Sequence, residues 1–217
     1  MIGDTTSASQ YYRSRFSHTP ERVGVWRMIC EYLQGFIPPT ACVLDLGAGY
    51  CSFINTVCAA EKHALDIFPG FVQFAAPDVH THVGKCDDLS IFAARSFDVV
   101  FASNLLEHLT QLATASTLSE VRRVLKPSGY FIVIQPNFRY CYREYFDDYT
   151  HLQVFSHVGL ADLLSANGFD VERVEPRFLP FSFKSRAPKW PWIVWLYLRL
   201  PVRPLAKQML IVSRVAV

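Results

Sequence analysis

Behind Thr19-Pro20, apolar residues return at Val25, Ile29, Leu33 and Phe36, a spacing of three or four that places them on one side of a helix. Thr19 suits the cap, Pro20 suits the first helical position, and Pro38-Pro39 ends the element. From residue 42 onward the pattern changes to short β-type runs: CVLDL (42–46), HALDI (63–67), VHTHV (79–83), FDVVFAS (97–103), YFIVIQP (130–136), FDVERVEP (169–176) and QMLIVSRV (208–215). Between them the spacing predicts helices over 51–60, 69–76, 105–125 and 157–167, the last capped by Ser156 and closed by Asn167-Gly168.

Strands that alternate with helical stretches need crossover connections, and the resulting parallel sheet is covered on both faces. The expected fold is therefore α/β, a doubly wound sheet in one domain over 1–217, with an N-terminal segment and helix (1–38), which the resemblance named below makes a lid, and a ligand-binding core (40–175). The stretch 177–206 breaks the rhythm with five prolines and seven aromatics and reads as an insertion before the final strand. Within it, Pro191 suits a helix start and Pro201 an end.

At 217 residues, 51% hydrophobic and 18% charged, the chain can bury one full-sized core, which excludes fibrous and disordered classes. Its six cysteines form no C-x-x-C pair and MIGDTTSASQ carries no secretory pattern, so a reducing, cytoplasmic compartment is expected. Trp190–Leu198 is too short for a membrane span. The net charge of +2 hides an asymmetry: residues 176–217 hold eight Lys/Arg and no acid, whereas all 19 Asp/Glu precede them. A basic surface on an acidic body follows.

Candidate chemistry begins where the first core strand ends. Val43-Leu44-Asp45-Leu46-Gly47-Ala48-Gly49 is an apolar run closing on an acid, then two glycines that admit close backbone approach. A dinucleotide fingerprint would need glycine where Ser52 stands, and Asp45 would crowd a pyrophosphate; a cationic ligand without phosphate suits it better. Asp66 ends the next strand 19 residues after Gly47, where a carboxylate can accept both hydroxyl protons of a ribose. His80 and His82 alternate beside Cys86 without a second pair to complete a metal site, and no metal is expected.

These motifs resemble the Rossmann-like, class I S-adenosylmethionine-dependent methyltransferases. The likeness runs through Ala64-Leu65-Asp66-Ile67, Ser96 to Leu109, and Glu120 to Tyr130, in the right order over about residues 40–175. It implies a seven-stranded sheet with the last strand antiparallel. It also implies that Asp45, Gly47, Ala48 and Gly49 line the methionine part of the cofactor, that Asp66 holds the ribose with Ile67 on the adenine, and that Asn104 and Leu105 face the reacting methyl. Two positions depart from the pattern: Cys51 stands where many relatives have a third glycine, and Lys85-Cys86 replaces an acid and small residue, leaving Cys86 and Asp87 as the adenine contacts.

His151, in Asp147-Asp148-Tyr149-Thr150-His151, is the candidate general base if the acceptor must be deprotonated; the alternative is that it only orients its loop. Arg13, Arg15 and the tyrosines of Gln10–Phe16 could close over the cofactor. The expected acceptor is a small molecule, a sugar or a lipid-linked intermediate. The Trp/Tyr and Lys/Arg of 177–206 suit peripheral membrane contact, a homodimer interface or a lid, and nucleic acid is not expected. The competing functions are a nicotinamide-dependent oxidoreductase and a non-catalytic binding protein.

Overall fold

The computed structural model describes residues 20–180 and 190–216. Seven strands form one sheet: β1 (Cys42–Leu46), β2 (Glu61–Asp66), β3 (Val79–Val83), β4 (Phe97–Ser103), β5 (Leu125–Pro136), β6 (Phe169–Pro180) and β7 (Ala206–Val215), in the order β3-β2-β1-β4-β5-β7-β6. Pairings among β1 to β5 are parallel, while β7 runs antiparallel to both β5 and β6. The sheet is thus the doubly wound one the alternation predicts, and its last strand has the reversed sense that the resemblance implies.

Its central strands are buried on both faces. Val43, Val99, Phe101 and Ile132 enter one apolar layer together with helix α1 (Pro20–Leu33), whereas Leu44, Val100, Ala102 and Val133 enter the opposite layer. In that second layer lie Leu118 and Val121 of helix α2 (Gln111–Val124) and Leu160 and Leu164 of helix α4 (His157–Ala166). This two-residue alternation between two cores explains why the strands read as continuous apolar runs. A one-turn helix α3 (Phe138–Cys141) follows β5.

Several element boundaries differ from the periodicity. Residues 51–60 form no helix: they make separate turns, Asn55 N donating to Cys51 O and Val57 N to Phe53 O, while the Thr56 hydroxyl takes the Ser52 carbonyl. That side-chain bond competes with helix propagation. Residues 69–76 reduce to a 3-10 helix over Pro69–Phe74. The predicted helix 105–125 splits into a 3-10 turn (Leu106–His108) and α2, because Leu109 is extended and Thr110 caps a new start by accepting from Ala113 N at 3.2 Å. Ser156 caps α4 by accepting from Gly159 N at 3.1 Å, and Gly168 follows at φ 81°, both as predicted. β6 continues to Pro180, pairing Leu179 with Gln208, so residues 177–180 belong to the sheet and the intervening segment begins at 181. Thr19 and Gln10–Phe16 lie outside the described residues.

Of that segment, helix α5 (Pro191–Arg199) is described. It docks on α1: an added Cβ at Gly24 would lie 3.0 Å from Pro191, Trp195 Nε1 donates to Glu31 at 3.2 Å, and Leu198 is buried. Trp190 and Trp192 face outward at 60% and 62% exposure.

Candidate active site

The switch in strand order puts β1 between β2 and β4, and the segments leaving the carboxyl ends of these three strands meet there, as open α/β sheets require of a ligand site. After β1 the chain turns sharply: Gly47 has φ 75° and Gly49 φ 54°, and the amides of Gly47 and Ala48 both donate to Leu65 O at 2.8 and 3.1 Å. A Cβ at Gly47 would sit 3.0 Å from Leu105 Cδ1, so glycine there serves both conformation and space. Cys51 also lies in the left-handed region (φ 54°), at the position where the resemblance leads one to expect a third glycine. A cysteine backbone is merely less comfortable there.

Two carboxyls frame this loop. Asp45 is buried, and burial, with Asp66 as the second cause, pushes its carboxyl up to about 8; the Ile54 amide opposes this. Asp66 ends β2 and accepts from Gly49 N and from Phe68 N, each at 2.9 Å, one per carboxylate oxygen. Ile67 is exposed beside it at 37%.

Beyond β4, Asn104 takes φ 51°, a conformation asparagine tolerates well. Its Oδ1 accepts from Gln208 Nε2 on β7 at 2.8 Å and its amide donates to Ile134 O. Leu105 next to it packs on Gly47, bringing the β4 end to the glycine loop. Cys86 accepts from the Thr117 hydroxyl at 3.6 Å on α2, and burial pushes its thiol up to about 11. Asp87 lines a cavity of about 550 Å³ with Ser116, Ser119 and Glu120 of α2. The structure therefore gathers Asp45, Gly47, Ala48, Gly49, Asp66 and Leu105, with Asn104 adjoining, and sets Asp87 on the α2 side.

His151 is buried on a strap that crosses this end of the sheet. Leu152 N and Gln153 N both donate to Glu107 O, and the Gln153 amide reaches Leu109 O and the Thr114 hydroxyl, so the strap is tied to the segment following β4. The His151 ring stands 4.9 Å from His108 and 4.4 Å from Tyr145, centroid to centroid. Burial pushes the Glu107 carboxyl up to about 8, while burial and then the neighbouring His151 hold His108 down at about 4. Glu107 is not among the residues that the sequence motifs single out; its place opposite His151 is set by the strap. Also missed are Gln208, which arrives from β7, and Arg22 of α1, which lies within electrostatic reach of Tyr50 in the glycine loop.

Residues 44–133 match the model of the methyltransferase domain family. Over these residues the chain belongs to the methyltransferase domain family, and its sheet has the Rossmann-like, class I fold. S-adenosylmethionine is the cofactor that accompanies this domain, and the glycine cradle with its two carboxyls suits a ligand that has ribose hydroxyls and no pyrophosphate. Among curated proteins, the chain is 31% identical over 165 residues to a malonyl-[acyl-carrier protein] O-methyltransferase of Methylococcus capsulatus, a match covering 68% of this chain and 58% of that protein. It is 33% identical over 116 residues to the reducing polyketide synthase ppsB of Aspergillus oryzae, covering 46% of this chain and 5% of that one. The chain thus spans less than two thirds of the length of these relatives. A solved S-adenosylmethionine-dependent methyltransferase of Archaeoglobus fulgidus superposes with a TM-score of 0.64 at 18% identity, over 87% of this chain and 94% of the other. The methyltransferase domain is therefore supported in sequence and in fold.

Proposed function

We propose that this chain is an S-adenosylmethionine-dependent methyltransferase acting on a small-molecule, sugar or lipid-linked acceptor. The observation that carries the reading is the cradle itself: Gly47 and Gly49 in left-handed backbone, a buried Asp45 behind them, and Asp66 at the end of β2 with its carboxylate oriented by the Gly49 and Phe68 amides. Asp66 would take the ribose hydroxyls, Ile67 would cover the adenine with the Cys86 amide or Asp87 near its edge, and Asp45 would favour the cationic methionine end. Bound there, the cofactor supplies a methyl group on positively charged sulfur. Asn104 and Leu105 would orient the acceptor against it and exclude water. His151, on the strap above them, acts on the acceptor's hydroxyl proton. The name of the Methylococcus relative, an O-methyltransferase of a carrier-bound acid, supports an oxygen acceptor.

A second, finer reading concerns where the acceptor resides. Among the described residues no helix is long and apolar enough to cross a membrane. The outward Trp190 and Trp192, with eight Lys/Arg and no acid over residues 176–217, nonetheless favour a peripheral contact with an anionic lipid surface, although Arg173 and Arg203 pair with Glu175 and Arg199 pairs with Glu31. All six cysteines are free thiols, which suits a reducing, cytoplasmic setting.

The test is calorimetric titration with S-adenosylmethionine and with a nicotinamide dinucleotide, followed by single-turnover assays on a panel of hydroxyl and carboxyl acceptors. Binding of the sulfonium cofactor with methyl transfer is expected. Binding of nicotinamide alone would point to an oxidoreductase, and cofactor binding without transfer to any acceptor would point to a binding protein. In His151→Ala, turnover should fall about 10²- to 10⁴-fold with cofactor affinity nearly unchanged.

A further inference from the structure

Among the described residues, two clusters bring three His, Cys or carboxylate groups close enough to share an ion, their potential ligand atoms all within 4.8 Å of one another: Cys42–Glu61–His63 and Glu107–His108–His151. In the first the ligand atoms already bond to protein, His63 Nε2 to Glu61 at 2.9 Å and His63 Nδ1 to His82 at 3.1 Å, and Glu61 is exposed. In the second the carboxylate is buried rather than exposed.

Glu107 has 0% exposure, and among the described residues neither of its carboxylate oxygens has a hydrogen-bond partner. Buried carboxylates are ordinarily held by donors, by an opposite charge or by a metal. What faces Glu107 is a pair of imidazoles, and the arrangement around one of them fixes its tautomer. The Thr150 hydroxyl lies 2.6 Å from Asp148 Oδ1 and 2.9 Å from His108 Nδ1. An ionised Asp148 can only accept, so the Thr150 hydrogen points to it and the Thr150 oxygen accepts from His108. The Thr150 carbonyl, 3.4 Å from the same nitrogen, can only accept as well. His108 Nδ1 therefore carries the proton and Nε2 keeps the lone pair. A carboxylate–hydroxyl–imidazole relay of this kind is how proteins orient a metal-ligating histidine.

We propose that Glu107, His108 and His151 bind a divalent transition-metal ion of the zinc class, and that its open coordination position takes the oxygen of a hydroxyl-bearing acceptor. Two imidazole nitrogens and one carboxylate oxygen suit Zn²⁺, Co²⁺ or Mn²⁺ better than Mg²⁺ or Ca²⁺, and three protein ligands leave room for a fourth. The cation site stands on the geometry alone; its use for an acceptor rests on the methyltransferase reading. There, coordination replaces the acceptor's O–H bond by an O–metal bond and the proton passes to solvent. The oxygen lone pair then forms the O–CH₃ bond while the C–S bond breaks with its electrons left on sulfur, and the ether leaves the ion. His151 then acts on the acceptor proton by holding the ion, and the metal-free enzyme expected from sequence becomes a metal-assisted one.

Untagged full-length protein, stripped with chelator and titrated with Co²⁺ alone, tests this. One equivalent should bind with visible ligand-field absorption, and Glu107→Gln and His151→Ala should each weaken binding by about 10- to 100-fold. Thr150→Val keeps all three ligands but removes the hydroxyl from the relay; it should weaken binding while circular dichroism stays that of the parent. Absence of binding by the folded parent would overturn the proposal, as would loss of the equivalent in Cys42→Ser instead. Calorimetry with S-adenosylmethionine on the same samples separates the two ideas: metal uptake without cofactor binding would retain the ion site and remove the methyltransferase reading, and the converse result would remove only the ion site.

Discussion

At Asp66 the Gly49 and Phe68 amides orient a carboxylate at the end of β2, beside the glycine loop, so its deletion reports on the ligand as well as the loop. Asp66→Ala should weaken S-adenosylmethionine binding by about 1.5–3 kcal/mol, the value of hydrogen bonds to a charged acceptor, and calorimetry on the folded variant reads it. Gly47→Val should be worse, since a β-branched residue at φ 75° is strained and its side chain meets Leu105. Asp45 makes a prediction of a different kind. Its folded-state carboxyl sits near 8, raised above the unfolded value, so the folded protein keeps a proton the unfolded chain has lost. Stability from this group is full below about pH 4 and declines as pH rises toward about 8. Asp45→Asn should therefore melt higher than the parent at neutral pH, with the gap widening between pH 5 and 8, yet bind the cofactor more weakly. A variant with unchanged melting across that range would show that Asp45 is not strained by burial.

Among the elements, helix starts are where local chemistry is strongest. The Ser156 hydroxyl accepts from Gly159 N to begin α4, and α4 carries Leu160 and Leu164 into the layer beneath the sheet. Ser156→Ala should cost about 1 kcal/mol in chemical denaturation, with the cofactor site untouched. Thr110 plays the same part for α2, and there the cap changes function as well as stability. By starting the helix at Gln111 it leaves Leu106–His108 as a separate 3-10 turn, and that turn presents Glu107 to His151. A helix running unbroken from 105, as apolar spacing alone suggests, would rotate these side chains elsewhere. Residues 51–60 carry the reverse lesson: Phe53, Ile54 and Val57 are all buried, but the demand for burial is met by turns.

For the molecule as a whole, the distribution of charge and aromatic surface decides what it can meet. α5 fastens to α1 through Trp195, Glu31 and Arg199, with the Arg199 guanidinium 3.9 Å from the Trp195 ring, so Trp195 is tied into the fold. Trp190 and Trp192 stack outward on each other, which makes them the pair to alter. The Trp190→Ala, Trp192→Ala variant should lose salt-sensitive co-sedimentation with anionic vesicles while keeping cofactor affinity. A parent protein that ignores vesicles and is a dimer split by the same variant would make this face an interface between copies.

Much of this was legible along the chain. Alternating apolar runs specify strands whatever surrounds them, and because both faces are buried the sheet had to be covered by crossovers. The glycine loop was readable for the same local reason: left-handed backbone and close approach demand Gly47 and Gly49 at those positions. Asn104 and Leu105 were singled out by the resemblance, which sets them just after β4. The long-range pairings were not local. Where β7 inserts determines that Gln208 holds Asn104, and how the strap docks on Glu107 O determines that His151 faces Glu107 and His108. A backbone conformation is dictated by its own residues, whereas a cluster of side chains from distant segments exists only once the sheet has set its strand order.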